Sequence, residues 1–483
     1  MRSLSLFIVM VLMFACSSRG PESAPASQTA ADRGPAENPE ISIQVQGMEP
    51  GLAYLIATYT DQRYRLDSTM VDASGKMLFK RDKPYPPGLV FLMLPDKSAF
   101  QLIVDLDQTF SMKTVKGNLN AAMEVEGSLD NELLYKSIKF EEGQRSQFDA
   151  VAARMRSVPA NSPEYTAAKA EQDKLLADRK AFLKDMADNH PESLFTKFKI
   201  AGQNPDVPDV RKPNGTIDTV RQVYLYRTKF WEGVDFSDER LLGTPVIANK
   251  LKRYITELTP QNADSIISAT KFLVDQVLDH KEYFKYFTNY VALYYEPGKT
   301  PVMDPNAIFV FIAQNYFTKE RAFWTDSIQA AAIQKRAAEQ QNSLVGKKGP
   351  NVKVPGPDGK VRELFAIKDP YIVVFMYNPE CDHCIEESPQ MVRFHQEWKP
   401  KGVEVYAIAI ETDAAKWKAF MAKNQMQNLV NVFDPTNKSI YATYYVDNTP
   451  EIYVLGPDRT IIAKNLKPHQ IADVIQRDMR KKK

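Results

Sequence analysis

The stretch IVVFMYNPECDHC, residues 372–384, decides the fold of the C-terminal part of this chain. Its first half, residues 372–377, is an unbroken apolar run, which predicts a strand covered on both faces. A proline-containing break follows, and residues 385–398 then have the apolar spacing of a helix. Cys381 and Cys384 therefore lie where a buried strand gives way to the first turn of a helix.

This position predicts redox chemistry for the CxxC pair. Backbone N–H groups in the first turn of a helix lack intrahelical partners and the helix dipole is positive there, so a thiolate is stabilised. A lower pKa raises the thiolate fraction, and the thiolate is the nucleophile of thiol–disulfide exchange. With two residues between Cys381 and Cys384, the second sulfur can reach the first and release a product as an intramolecular disulfide.

Other uses of a CxxC pair fit the residues less well. A structural zinc site needs two further ligands, but the sequence has no second CxxC and no paired histidines. Covalent haem attachment needs CxxCH, and position 385 is Ile. A peroxiredoxin has Pro and Thr where this chain has Val374 and Asn378. A CxxC without a function is the remaining alternative.

Composition describes a soluble, folded chain of several domains. A length of 483 residues corresponds to about three domains. The residues are 44% hydrophobic and 25% charged, and the net charge of +2 argues against a strongly basic nucleic-acid-binding protein. Three cysteines are too few for a disulfide scaffold. No cofactor and no metal ion is expected.

The N-terminus predicts export and a lipid anchor. Residues 1–15 combine a basic start with a short apolar run, the pattern of a signal peptide. Met13-Phe14-Ala15-Cys16 resembles a bacterial lipobox, which implies lipidation of Cys16; a plain signal peptide with an incidental cysteine is the alternative. Residues 16–39, rich in Ala, Pro, Ser and Glu, are expected to be a disordered tether. Ser17-Ser18-Arg19 contains no acidic signal for the cell surface, so the expected orientation faces the periplasm.

Residues 40–128 predict a small β-sandwich. Short apolar-alternating segments recur along this region, and a turn signal, Asp72-Ala73-Ser74-Gly75, separates two of them. Leu66-Asp67-Ser68 and Pro86-Pro87-Gly88 resemble a β-domain of unknown function that often precedes thioredoxin-like modules in envelope proteins.

The middle of the chain predicts an all-α region. Two charged helical segments flank a turn containing Pro159 and Pro163, which indicates a helical hairpin over 129–189. Residues 190–342 read as a helical domain rich in aromatic residues, for which core packing is favoured over a peptide-binding groove. Residues 226–242 resemble a helical domain of unknown function found ahead of thioredoxin-like modules in Gram-negative lipoproteins.

Residues 347–483 alternate strands and helices and end in a hairpin and a helix, which predicts an α/β fold. They resemble the TlpA/ResA branch of the thioredoxin superfamily. The resemblance rests on Gly349-Pro350-Asn351, the CxxC pair, Pro389 and Thr449-Pro450. The expected architecture is multidomain: an N-terminal β-sandwich, a central all-α region and a C-terminal thioredoxin-like fold.

The resemblance assigns roles to individual residues. It implies that Cys381 attacks, that Cys384 resolves, and that Pro450 is a cis-proline facing the disulfide. Thr449 would then present its main chain to a bound peptide strand. The implied partners are cysteine-containing envelope proteins and a membrane dithiol donor.

The sequence departs from the family pattern beside the cysteines. Glu380 replaces a common Trp, Asp382 a frequent Pro, and Phe375 the buried acid of thioredoxin itself. Proton transfer to Cys384 then needs another group; Glu411 is a candidate, with a solvated strand end as the alternative. Protonated His383 would favour the Cys381 thiolate, whereas Glu380 and Asp382 would oppose it.

These features predict a periplasm-facing, lipid-anchored thiol-disulfide oxidoreductase that acts on protein cysteines. The competing hypothesis is an envelope scaffold or binding lipoprotein in which the redox module is accessory.

Overall fold

The structure is a computed structural model that describes residues 36–434, 440, 443–446 and 448–481. The predicted signal peptide, the lipidation site Cys16 and residues 16–35 of the tether lie outside the described residues. The chain divides into two compact units, Met1–Leu251 and Lys252–Lys483. The division falls inside the region 190–342 that the sequence predicts as one helical domain.

Strands of the first unit form two four-stranded sheets. They are β1 (Glu40–Gln46), β2 (Gly51–Tyr59), β3 (Gln62–Val71), β4 (Lys76–Lys80), β5 (Gly88–Met93), β6 (Ala99–Val104), β7 (Thr109–Val115) and β8 (Glu124–Glu126). The sheet orders are β4-β1-β7-β8 and β3-β2-β5-β6. The β character of this region is confirmed, and the face-to-face sandwich arrangement stays a prediction.

Local sequence explains the β3–β4 hairpin. The Asp72 carboxylate accepts hydrogen bonds from the N–H groups of Ser74 at 2.7 Å and Lys76 at 2.9 Å. Gly75 has φ +77°, a left-handed conformation that glycine adopts without steric cost. Hairpin turns commonly combine an Asp side chain that accepts hydrogen bonds from the backbone of the turn with a Gly in the left-handed conformation.

Two long helices follow the sheets and form the predicted hairpin. They are α1 (Leu129–Ser157) and α2 (Pro163–Asn189). The Ser162 side chain accepts a hydrogen bond from the Tyr165 N–H and caps the start of α2. Phe140 and Phe182 stack across the hairpin with ring centroids 4.3 Å apart.

A short helical turn packs the rest of the first unit onto the sheets. The Leu242 carbonyl accepts a hydrogen bond of 2.7 Å from the Thr60 N–H. Gly243 lies so close to Gly88 that a Cβ on either residue would meet backbone atoms within 2.3 Å. The Arg240 guanidinium, whose side chain is only 11% exposed, bonds Asp238 and Asp105, which ties this turn to the end of β6.

The remaining helices of the central region are mostly short. They are α3 (Leu194–Ala201), α4 (Thr219–Lys229), α5 (Pro245–Thr256), α6 (Ala263–Asp275), α7 (Lys281–Tyr294), α8 (Pro305–Asn315) and α9 (Ser327–Gln340). Aromatic rings fill much of the second unit's helical core; Phe284, for example, meets Trp324 edge-on at 5.4 Å. The prediction of a helical central region is confirmed.

The C-terminal part has an α/β fold around a five-stranded sheet of order β13-β12-β11-β14-β15. After a small hairpin of β9 (Lys353–Pro355) and β10 (Val361–Glu363), the sheet strands are β11 (Tyr371–Tyr377), β12 (Val403–Ala409), β13 (Val430–Phe433), β14 (Glu451–Leu455) and β15 (Ile461–Lys464). The helices are α10 (Asp382–Trp398), α11 (Ala414–Lys423) and α12 (Pro468–Lys481).

Strand β11 is the centre of this sheet. It pairs in parallel with β12 and antiparallel with β14. All seven of its residues are buried. Val373, Phe375 and Tyr377 enter the core that α10, α11 and α12 cover, whereas Ile372 and Val374 enter the core on the opposite face. Because both faces are covered, the strand reads as a continuous apolar run.

Within the part of the chain that the structure describes, no helix is both long enough and apolar enough to cross a membrane.

Candidate active site

The CxxC pair lies at the junction of β11 and α10. Cys381 is the N-cap residue of α10, with extended backbone angles of φ −89° and ψ 126°, and Cys384 is in the first turn. Asn378 organises the connection: its carbonyl accepts from the Cys381 N–H at 3.1 Å, and its side-chain oxygen accepts from the Glu380 N–H at 2.8 Å. The strand–helix junction predicted from the sequence is confirmed.

The two thiols are not bonded to each other and differ in exposure. Cys381 is partly exposed, whereas Cys384 is fully buried. The Asn378 N–H donates to Cys384 Sγ at 3.4 Å. Ser388, one turn further along α10, donates its hydroxyl to the Cys384 carbonyl at 2.7 Å. A molecule in solution can therefore reach the Cys381 sulfur directly, but not the Cys384 sulfur.

The environment of Cys381 favours its thiolate. Partial burial alone would raise the pKa of Cys381, but hydrogen bonds from the backbone N–H and the thiol of Cys384 outweigh it. Hydrogen bonds from the Thr449 side chain and the His383 backbone act in the same direction, and the pKa of Cys381 lies below its ordinary value. This is the thiolate stabilisation that a helix N-terminus predicts.

Cys384 has the opposite tendency. Burial raises the pKa of the Cys384 thiol to about 12, and the neighbouring Cys381 sulfur adds to the increase. Hydrogen bonds with Asn378 and Thr449 offset only part of this increase in the pKa of Cys384. The CxxC pair therefore consists of one sulfur prepared to attack and one sulfur held protonated.

Thr449 is brought beside Cys381, and Pro450 follows it in the chain. The Cys381 thiol donates to the Thr449 carbonyl across 3.3 Å. The Thr449–Pro450 peptide bond is cis, the isomer that the resemblance implies. Strand β14 starts at Glu451, opposite Met376 of β11, and this antiparallel register places Thr449 at the end of β11 where the cysteines begin. The role of Thr449 and Pro450 in peptide recognition stays a prediction.

The charged residues around Cys381 are exposed, and one has a partner that the sequence did not predict. Glu380 forms an ion pair of 2.8 Å with Lys416 of α11. Because the Lys416 cation offsets the charge of the Glu380 carboxylate, Glu380 destabilises the Cys381 thiolate less than the sequence analysis expects. No local signal pointed to Lys416, because it comes 36 residues later in the chain.

Asp382 and His383 are exposed in the first turn of α10, and His383 Nδ1 lies 4.0 Å from Glu386 Oε2. Their tuning roles stay predictions. Glu411 is exposed and has a left-handed φ of +52° just beyond β12. Its role in proton transfer also stays a prediction.

Aromatic groups, rather than an acid, occupy the core behind Cys384. Phe375 is fully buried and stacks on Tyr377 with centroids 5.3 Å apart. The Tyr377 hydroxyl accepts a hydrogen bond of 3.1 Å from the Trp417 indole. Burial, with a smaller effect of Cys384, raises the pKa of Tyr377, so its phenol stays protonated.

A buried carboxylate that the sequence analysis did not select lies one turn beyond Cys384. Glu387 is 7% exposed, and its Oε1 pairs with Lys467 Nζ at 2.6 Å. Its Oε2 has no hydrogen-bond partner among the described residues. The signal in the sequence that could have identified Glu387 is an acidic residue three positions after Cys384 in the predicted helix. Nowhere in residues 36–434, 440, 443–446 and 448–481 do three or more His, Cys, Asp or Glu side chains gather as metal ligands would.

Comparison with protein families finds two matches. The AhpC/TSA family matches residues 345–464, which contain the CxxC pair and Thr449-Pro450. A domain of unknown function, DUF5106, matches residues 178–342. The second match lies ahead of the first in the chain, and it begins twelve residues before the boundary at 190 that the sequence analysis predicts.

Comparison with individual proteins finds thiol-disulfide oxidoreductases. Two relatives, both named thiol-disulfide oxidoreductase ResA, come from Bacillus thuringiensis (strain Al Hakam) and Bacillus anthracis. Each is 30% identical over 126 residues, which span 26% of this chain and 71% of the relative. Among solved structures, a domain of a possible thiol-disulfide isomerase from Cytophaga hutchinsonii is 29% identical, with a TM-score of 0.27; the match covers 29% of this chain and 95% of that domain.

Proposed function

This chain belongs, through its C-terminal domain, to the ResA family of thiol-disulfide oxidoreductases, and from that premise we propose that it exchanges disulfides with cysteine-containing proteins of the cell envelope. One observation carries the proposal. The partly exposed Cys381 thiol has a lowered pKa and lies 3.3 Å from the Thr449 carbonyl, where a peptide strand can present a cysteine to it.

The reaction in the reducing direction has two steps. The Cys381 thiolate attacks one sulfur of a client disulfide; the client S–S bond breaks, and the other client sulfur leaves as a thiolate that takes up a proton. A mixed disulfide now joins Cys381 to the client. The Cys384 thiol loses its proton and attacks Cys381 Sγ, and the second client sulfur leaves as a thiolate. Two electrons have moved to the client, and the enzyme holds a Cys381–Cys384 disulfide.

The same geometry supports the reverse direction. An oxidised enzyme would accept two electrons from a client dithiol and return to the dithiol form. Which direction prevails depends on the donor that reacts with the Cys381–Cys384 disulfide. We propose a membrane dithiol donor, because the enzyme must be reduced again after each turnover as a reductant.

Recognition in this proposal is mainly through the main chain. The Thr449 carbonyl borders Cys381, and the partly exposed Pro450 follows it just before β14. Main-chain pairing with a client strand is tolerant of sequence, because side chains of the client contribute little to it. The enzyme would therefore act on several proteins.

The proposed location is the periplasmic face of a membrane, with a lipid anchor at Cys16. The support comes from the signal-peptide pattern of residues 1–15 and from Met13-Phe14-Ala15-Cys16. A tether of residues 16–39 would leave the folded part of the chain free to reach clients near the membrane.

The test is covalent capture of clients by single-cysteine variants of the full-length protein. Cys384→Ala should accumulate mixed disulfides with envelope proteins, because the resolving sulfur is missing. Cys381→Ala, the matched control, should accumulate none. Cells are quenched with acid, thiols are alkylated, and adducts are identified by mass spectrometry as bands that disappear on reduction.

The opposite pattern, with adducts on Cys381→Ala only, would reverse the assigned roles. If neither variant captures a protein and the wild-type pair resists dithiothreitol, the proposed exchange is contradicted. An envelope scaffold with an accessory redox module would then be the better account.

A further inference from the structure

Helix α4 (Thr219–Lys229) presents apolar side chains to solvent instead of to a core. None of its residues is buried. Val220 is 76% exposed, Val223 52% and Tyr224 54%. Because residues three and four positions apart lie on one face of a helix, these three side chains share a face. Ile217, just before the helix, is 43% exposed as well, and we call these four residues the α4 stripe.

The opposite face of α4 is attached to the protein. The Gln222 side chain donates to the Asp209 carboxylate at 3.1 Å, and the Tyr226 hydroxyl donates to the side-chain oxygen of Asn204 at 2.7 Å. At 3.6 residues per turn, Gln222 and Tyr226 lie about half a turn around the helix from the α4 stripe. Turning the stripe inward would break both hydrogen bonds, so the helix is held with its apolar side outward.

Cations accompany the α4 stripe. Residues 211–229 contain five Lys or Arg residues and a single acid, Asp218. The Asp218 carboxylate accepts from the Arg221 N–H at 3.0 Å as the N-cap of α4. The Arg221 guanidinium lies 5.2 Å from the ring centre of Tyr224. Lys212 is exposed in the turn that leads to the stripe. Apolar side chains mixed with cations on an exposed helix complement an anionic phospholipid surface.

The types of side chain fit the boundary between lipid and water. Tyrosine is enriched there because its ring is apolar and its hydroxyl is polar. Arginine can lay its stem along apolar groups while its charge stays at the phosphates. Four side chains bury little area, so the contact of the α4 stripe with a bilayer is weak by itself.

The proposed anchor makes a weak contact sufficient. The proposed tether, residues 16–39, continues into β1 of the same compact unit that contains α4. A surface on a chain already attached to the bilayer meets the lipid at an effective concentration of about a millimolar. Binding of the α4 stripe then needs no high intrinsic affinity.

We propose that the α4 stripe is a membrane-contact surface that binds anionic phospholipids. The lipid headgroups pair with the cations of residues 211–229, and the apolar side chains enter between the headgroups. This inference goes beyond the proposed exchange reaction, and it rests only on the proposed location at a membrane.

The test is hydrogen–deuterium exchange of the full-length protein on vesicles. Protein purified in detergent is incorporated into phosphatidylcholine vesicles with or without phosphatidylglycerol, and flotation measures the bound fraction. Mass spectrometry then follows backbone amides of residues 217–229. A helix without buried residues exchanges readily by local opening, and contact with lipid should slow that exchange.

Exchange in residues 217–229 should be slower with phosphatidylglycerol than without it, whereas α9 should not change. Arg221→Gln should lower this slowing by up to about fivefold, the contribution of one cation near an anionic surface. Lys174→Gln, which removes an exposed cation from α2, is the matched control and should have no effect.

Val223→Ser tests the apolar part of the contact. It should lower the slowing by a similar factor, because a half-exposed valine that enters lipid contributes about as much as one cation. The matched control is Ile328→Ser on α9, where an apolar side chain outside the α4 stripe is 80% exposed. Circular dichroism checks that each variant is folded.

Equal exchange on the two kinds of vesicle would overturn the proposal, and so would protein that stays unbound when phosphatidylglycerol is present. Slowing that appears without lipid as the protein concentration rises would assign the α4 stripe to a second copy of the chain and overturn it too. Disulfide exchange by the same samples is measured separately. Loss of the lipid contact with exchange intact contradicts this inference alone, and the converse contradicts the proposed function alone.

Discussion

The two sulfurs of the CxxC pair differ in burial, and the difference predicts separate pH profiles for their reactivity. Since the pKa of Cys381 is lowered, its thiolate is present at lower pH, and iodoacetamide should modify it with a midpoint below the value of about 8.5 for a free cysteine. Cys384, with a pKa of about 12, should stay unmodified through neutral pH. Mass spectrometry of the reduced protein after limited alkylation measures both.

In the Cys381→Ser variant the alkylation of Cys384 is measured alone, and in the Cys384→Ser variant the alkylation of Cys381 is measured alone. Alkylation of Cys384 at or before Cys381 in the reduced wild type would contradict the assignment. A Cys381 midpoint above that of a free cysteine would contradict the stabilising role of the α10 N-terminus.

The ion pair between Glu380 and Lys416 predicts a second effect on Cys381. Lys416→Met removes the cation and leaves the Glu380 carboxylate next to the sulfur, which disfavours the thiolate. Both partners are exposed, so alkylation of Cys381 at pH 7 and low salt should slow by only about 1.5-fold to threefold.

Lys418→Met, on the same helix α11, is the matched control for lost charge. The slower alkylation should vanish at high salt, because exposed charges are screened. An equal effect of the two substitutions, or an effect insensitive to salt, would show that the Glu380–Lys416 pair does not act on the sulfur.

Among the structural elements, the short turn at Gly243 lies very close to the backbone that leads into β5. In Gly243→Ala the new Cβ would meet the Pro87 carbonyl oxygen at 2.2 Å, a distance that forces the turn away from β5. We expect a loss of at least about 2 kcal/mol in the free energy of unfolding of this region, in the range of severe packing defects. Urea unfolding followed by circular dichroism measures it.

Gly143→Ala is the matched control, because it adds the same methyl group inside α1 where nothing lies within 4 Å. It should be neutral or stabilising by about 0.5–1 kcal/mol, since alanine favours a helix interior over glycine. Similar losses from both substitutions would contradict a tight contact at Gly243.

Local elements were predictable from the sequence, whereas contacts between distant segments were not. The apolar run of β11 and the helix after Cys381 follow from side-chain periodicity and from a break at Pro379. The Lys416 partner of Glu380 and the approach of Gly243 to Gly88 depend on how separate elements pack. No periodicity encodes such contacts, so a single sequence carries little signal for them.

At the scale of the whole molecule, the proposed anchor decides where the enzyme works. Cys16→Ser should move the protein from the membrane fraction to the soluble fraction or stall its processing. The reason is that several acyl chains together bind a membrane far more strongly than one acyl chain does, since one chain alone gives only marginal binding. Fractionation together with metabolic labelling by a radioactive fatty acid measures it.

Ser17→Ala is a control that changes a neighbouring residue without removing a thiol. Unchanged membrane association and unchanged fatty-acid labelling of Cys16→Ser would contradict the anchor. The proposed exchange chemistry would survive that result, because it depends on Cys381 and Cys384.

In the proposed exchange, the burial of Cys384 also sets how long enzyme and client stay joined. Because burial raises its pKa, the Cys384 thiol is ionised in only a very small fraction of molecules at pH 7. The closeness of the two sulfurs compensates, since effective molarities of well-oriented groups reach about 10⁵ M or more. Burial is the largest cause of the raised pKa, and it persists while Cys381 is bonded to a client. The lifetime of the covalent complex is therefore governed by an event inside the enzyme, and different clients should be released after similar dwell times.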